Sequence, residues 1–147
     1  MISKDQFKGL HSDLMATPGE EGGFSVHAMT GEVPTEGHMV SLPGEHLTTP
    51  ASATRPSHLA GYVNQNRESL SKPDVFFGGW KPKSGAFTTL DRSQQIKPNP
   101  SVTAEYGPAV ADADALTTAL DLGISRNQFS VWSHSRGRSI PTGVRDE

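Results

Sequence analysis

The chain has 147 residues, 13 Lys and Arg against 16 Asp and Glu, 33% hydrophobic content and no cysteine. That length suits one core; the lack of cysteine excludes a disulfide framework and a thiolate zinc site and points to a reducing compartment. No run approaches the ~18 apolar residues that span a bilayer, and Met1-Ile2-Ser3-Lys4-Asp5 lacks the apolar character of a signal peptide, so a soluble protein with no membrane anchor is expected. With 15 Gly and 11 Pro, many residues are committed to turns, and a thin core with long loops follows.

Ser3-Lys4-Asp5-Gln6 reads as a capping box, and Phe7, Leu10 and Leu14 follow at helical spacing, predicting a helix to about Met15 that stops at Thr17-Pro18-Gly19. Gly22-Gly23-Phe24 opens a strand in which Phe24, Val26 and Ala28 alternate with Ser25 and His27. Thr30-Gly31 turns the chain, and Met39 to Leu42 is expected to return along that strand as a hairpin. Pro43 to Ala53 reads as a surface loop. A second helix starts near Thr54 or Ser57, with Pro56 in its first turn and a buried stripe of Leu59, Tyr62, Val63, Asn66 and Leu70, ending at Ser71-Lys72-Pro73. Val75-Phe76-Phe77 and Trp80 form the next strand, Lys81-Pro82-Lys83-Ser84-Gly85 a turn, and Ala86 to Leu90 the return, with Trp80 and Phe87 as a cross-strand pair. Pro98, Pro100 and Pro108 mark a linker.

A third helix from about Pro108 to Leu122 carries Ala109, Ala113, Leu116 and Leu120 on one face, with Gly123 as its left-handed cap and Ile124 as the apolar partner of that cap. Phe129-Ser130-Val131-Trp132 is the last strand. The order α-ββ-α-ββ-α-β gives an α+β fold: a single domain, 1–147, of antiparallel β-hairpins packed with three helices. Its core is expected to contain Phe24, Val26, Trp80, Phe87, Leu116, Leu120, Phe129 and Val131, with Phe129→Ala costing about 3–5 kcal/mol.

The charge is uneven: residues 1 to 60 carry three basic against seven acidic side chains, whereas Arg126, Arg136, Arg138 and Arg145 follow one another with no acid between them. No phosphate-binding loop, HExxH or nucleophile elbow occurs. His27 and His38, both placed in the first hairpin, could share a face with Glu36 or Glu45 as a metal site, although no two histidines stand four apart on a helix. Ser133-His134-Ser135 reads as a turn, because neighbouring residues on a strand face opposite ways and cannot form a nucleophile and its base. Asp112 and Asp114 read as helix-start charges, and Glu20-Glu21 as solvated. No catalytic, cofactor-binding or metal-binding residue is assigned, and no cofactor is implied. Arg126, Trp132, Arg136 and Arg138 are the candidate partner-contact residues, for an acidic protein surface on a virion component, a host protein or another copy of this chain with its glutamate-rich first half, or, alternatively, for nucleic acid through arginine clamps and indole stacking.

The combination of Gly22-Gly23-Phe24, Thr30-Gly31, Pro34-Thr35 with Gly37, Met39-Val40-Ser41, Gly79-Trp80, Leu90-Asp91 with Ser93, Asn127-Gln128 with Ser130-Val131-Trp132, and Ile140-Pro141-Thr142-Gly143 resembles a family of small proteins from actinobacterial phages and mobile elements, similar to modules of their large polyvalent proteins. Arg92 stands where the similar sequences carry valine, and Ser133 where they carry aspartate. The resemblance implies a phage context and no activity. The expected function is a phage-encoded, non-enzymatic protein-interaction module, either virion-associated as a capsid or structural accessory or directed at a host protein, located in the host cytoplasm or the virion. A nucleic-acid-binding accessory protein using the C-terminal arginines is one alternative, and a metal-dependent enzyme or factor using His27 and His38 is another.

Overall fold

A computed structural model describes residues 1–15, 22–44 and 46–144. The predicted helix stop at Thr17-Pro18-Gly19, the pair Glu20-Glu21, the metal-site candidate Glu45 and Arg145 lie outside the described residues. Among those described, five α-helices and seven strands give an α+β fold in which the strands pair antiparallel. The chain packs into two compact units, one formed by Met1–Val33 and Gly44–Arg92, the other by Pro34–Pro43 and Ser93–Glu147.

In the first unit, α1 (Lys4–Met15) begins with the predicted capping box: the Ser3 N–H donates to Gln6 Oε1 at 2.7 Å and the Gln6 N–H to Ser3 Oγ at 3.2 Å. Helix α2 (Pro56–Gln65) starts on Pro56, whose missing N–H costs nothing there, and Asn66 separates it from the short α3 (Arg67–Leu70), so one predicted helix is two. Of its predicted stripe Leu59, Tyr62, Val63 and Leu70 are buried, while Asn66, at the break between the two helices, is half-buried. Strand β1 (Gly22–Val26) pairs with β4 (Val75–Lys81), Phe24 standing opposite Gly79 and Val26 opposite Phe77. Phe24 lays its ring where a Gly79 Cβ would be, and packs edge to face on Phe77 at 5.0 Å between centroids; Tyr62 stacks on Phe77 at 5.7 Å.

Strand β3 (Leu47–Pro50) occupies the segment read as loop and pairs with the first half of β5 (Phe87–Ile96). The turn between β4 and β5 closes as expected, Gly85 adopting φ +68° and donating its N–H to the Pro82 carbonyl. Trp80 and Phe87, however, are both exposed and are not a ring pair. Thr88 and Leu90 are the inward residues of β5, and an odd separation on a strand puts Phe87 on the other face; Trp80 shares its face of β4 with the buried Phe76, so parity does not account for its exposure.

The first predicted hairpin does not form. Residues His27 to Glu32 do make a tight turn, Gly31 taking φ +78° with its N–H on the His27 carbonyl. The chain then enters the second unit, where β2 (His38–Ser41) pairs with the last four residues of β5 on one side and with β6 (Ser130–Ser133) on the other. Strand β7 (Arg138–Pro141) follows β6 across a four-residue turn and ends this order. The supposed linker contains α4 (Pro100–Tyr106), started by Asn99, whose side chain accepts from the Ser101 N–H at 2.9 Å, and by Pro100 in the first turn.

Helix α5 (Pro108–Ser125) covers one face of these strands, but not with the stripe expected from its leucines. Its buried line is Ala111, Ala115, Ala119 and Gly123, four residues apart, while Ala109 and Ala113 are exposed. Small residues bring the helix axis close to the sheet, and Leu116 and Leu120 pack half-buried beside a core of Val40, Ala119 and Val131. Gly123 therefore lies inside the helix against Val131 and Thr142. The left-handed cap is Asn127 at φ +57°; its N–H reaches the Ile124 carbonyl and the Gln128 N–H reaches the Gly123 carbonyl at 2.8 Å, a Schellman closure that leaves Ile124 exposed. Phe129 precedes β6 as the chain leaves this cap and is 52% exposed, which overturns its expected place in the core; inward positions of β6 belong to Val131 and Ser133.

Candidate functional site

The densest side-chain chemistry among the described residues lies in the second unit, where β2, α5 and the β6–β7 turn meet. His38 and Ser133 are opposed on β2 and β6, both on the face toward α5 and both fully buried. A buried imidazole needs partners for both nitrogens. His38 Nδ1 lies 3.1 Å from Ser133 Oγ, and Nε2 lies 3.1 Å from Asp112 Oδ1 and 3.2 Å from the Asp112 carbonyl. Two acceptors at Nε2 assign the proton there, leaving Nδ1 to accept from the Ser133 hydroxyl.

The line continues to the surface. Ser133 Oγ accepts the Arg136 N–H at 3.2 Å and lies 3.2 Å from Ser135 Oγ. Ser135 Oγ donates to Asp112 Oδ2 at 3.1 Å, and Arg136 Nη1 donates to the same oxygen at 3.0 Å. Asp112 thus collects His38, Ser135 and Arg136, tying β2 and the turn after β6 to one helix residue. An aspartate, an imidazole and a serine in sequence invite comparison with nucleophilic catalysis. Here Ser133 has no exposed surface and its hydroxyl is committed to His38 Nδ1 and the Arg136 N–H, so no substrate carbonyl can reach it in this arrangement. What the arrangement does is fix the turn His134 to Gly137, whose Gly137 takes φ +62°.

Trp132 sits on the opposite face of β6, opposite Ser139 of β7, and is 43% exposed. Its Nε1–H donates to His134 Nδ1 at 3.2 Å, with the rings edge to face. Indole is only a donor, so this bond needs neutral His134 with its proton on Nε2, an atom that is buried with no hydrogen-bond partner among the described residues. Burial, followed by repulsion from His38, holds the His134 pKa below its ordinary 6.5. A neutral native His134 beside an unfolded chain that protonates normally means that stability falls as pH drops below about 6.5, because the unfolded state then binds more protons. His134→Gln is expected to flatten the dependence of melting temperature on pH between 7.5 and about 5.5; an unchanged slope would show that His134 is not the group responsible.

The four sequence candidates are not gathered on one patch. Arg126 is tied inward, Nη2 to Gln94 Oε1 at 2.7 Å and Nη1 to the Ser41 carbonyl at 3.4 Å. Arg136 is held by Asp112. Arg138 opposes Ser133 and so projects from the face opposite Trp132; its side chain has no hydrogen-bond or ion-pair partner among the described residues. His27 and His38 stand in different units, because β1 and β2 do not pair. His27 Nε2 donates to the Lys72 carbonyl at 2.9 Å while Nδ1 accepts the Met29 N–H at 3.2 Å. Among the described residues no group of three His, Asp or Glu side chains could hold a metal, and no helix is long and apolar enough to cross a membrane.

Sequence reasoning missed Asp112 as a network member and missed the pairing of His38 with Ser133. The available signal was polar residues at inward strand positions: His38 is two before Val40, and Ser133 two after Val131. Such residues require buried partners, which only the fold identifies. Comparison with known proteins finds no matching family model, no similar curated protein and no similar solved structure.

Proposed function

We propose that this chain is a phage-encoded, non-enzymatic protein-interaction module that meets its partner with the outer face of the β6–β7 hairpin. The observation that carries this reading is Trp132, an indole 43% exposed in the middle of a strand and pre-oriented by its bond to His134. Trp is the residue type most often dominant in binding, and an anchor already held in one rotamer loses little entropy on association. On the β7 side its neighbours Ser130, Ser139 and Pro141 are small and exposed, leaving that flank of the ring accessible, while on the β2 side it stands opposite the buried Met39. The Asp112 network supports the same reading by making the adjoining turn rigid. The phage context, and with it a virion or host-protein partner in the host cytoplasm, rests on the resemblance of the sequence.

Nucleic acid is the less favoured partner, because Arg126 and Arg136 already serve Gln94 and Asp112, leaving Arg138 without the second clamp that phosphate tracking uses. A photo-reactive benzoylphenylalanine at position 139, beside the intact Trp132 on the same face, irradiated in phage-producing cells, is expected to give a discrete adduct with one protein, present also in purified virions if the partner is a virion component. Adducts with nucleic acid alone, or none, would overturn the proposal.

A further inference from the structure

The first unit contains a separate surface feature that the hairpin reading does not use. Between the start of α1 and the first turns of α2 lies a groove of about 370 Å³, its base formed by the buried Ile2 and Phe7 with Ala60, its wall by Met1, Lys4 and Lys8. Lys4 and Lys8 are four residues apart on α1 and therefore rise from the same side of the helix. Their stems line an otherwise apolar trough while their ammonium groups reach the rim, and among the described residues no acidic side chain lines it. Met1 is 50% exposed here, so apolar surface remains uncovered.

We propose that this groove is a docking site for an acidic amphipathic helix of a protein partner. The groove is open to solvent on one side, whereas sites for small molecules bury about 70–90% of the ligand surface. An occupant that brings its own cover fits better. A helix presenting apolar side chains at i, i+3 and i+4 can lay them over Phe7 and Ala60 while glutamates on its flank meet Lys4 and Lys8. The rim charges chiefly set orientation and association rate, and the small apolar floor sets a weak, transient affinity.

The test uses the full chain and a fluorescein-labelled helical peptide with leucine on one face and glutamate on the other, followed by fluorescence anisotropy. Saturable micromolar binding is expected, weakened about tenfold or more in the Lys4→Glu, Lys8→Glu double variant, with no binding by the same peptide carrying lysine for glutamate. Ala60→Trp fills the trough and is expected to abolish binding at unchanged helical circular dichroism; Ser57→Trp, at an exposed lining position, answers the same question if Ala60→Trp does not fold. Equal binding of both peptides, no binding, or binding retained with the trough filled would overturn the proposal. So would saturable binding of dodecanoate without peptide binding, which would make the groove a lipid site.

Discussion

Phe77→Ala is expected to destabilise the protein by about 3–5 kcal/mol, because Phe77 is fully buried and its removal takes the support from two other rings, Phe24 and Tyr62. Urea unfolding monitored by far-ultraviolet circular dichroism reads the loss directly. Phe129→Ala is the matched control: the same deletion at an exposed position is expected to cost under about 0.5 kcal/mol. Similar losses at the two sites would mean that the cores around β4 and β6 are misassigned.

The second large effect is expected at Asp112. Asp112→Ala leaves the buried His38 Nε2–H without its side-chain acceptor and frees both Ser135 and Arg136, at a cost of about 3 kcal/mol; the value sits at the low end for breaking a buried pair because Asp112 is 21% exposed. A double-mutant cycle separates the contributions. Coupling of Asp112 to His38, measured with His38→Leu, is expected to exceed about 1 kcal/mol, whereas coupling to the solvent-facing Arg136, measured with Arg136→Ala, is expected to stay below that. The reverse order would show that the ion pair with Arg136 is what holds the turn, and that His38 is a passive filler.

Where the decisive interactions are local, the sequence is explicit. Ser3 and Gln6 cap α1 within four residues, Pro56 starts α2, and Asn99-Pro100 would have announced α4 had its capping chemistry been weighed above the proline count. The β1–β2 hairpin does not form because nearness in sequence does not dictate pairing: β2 finds its partners at residues 93–96 and 132–133. In α5 the large residues suggested one face and the small ones formed another, since close approach to a sheet selects Ala and Gly. Phe87 and Phe129 show that bulk does not dictate burial, since strand parity decides the first and the strand boundary the second; Trp80 is exposed although Phe76 on its own face is buried. The site was legible only as a question, two polar residues at inward strand positions. Its answer, Asp112, is 74 residues from His38.

That separation also orders events in time during synthesis. β2 is emitted between the two segments of the first unit, and His38 must wait for Asp112, 74 residues later, and for Ser133, 95 residues later. At about 5–20 residues per second the delay is about 5–20 s. Met39 and Val40 are an unpaired apolar strand on a nascent chain until residues 93–96 emerge, and the other edge of β2 stays open until Trp132 and Ser133 follow. A ribosome stalled or a message truncated before Ser133 therefore yields a product whose β2 has lost an edge partner for good, and whose histidine is a buried-type group left in water.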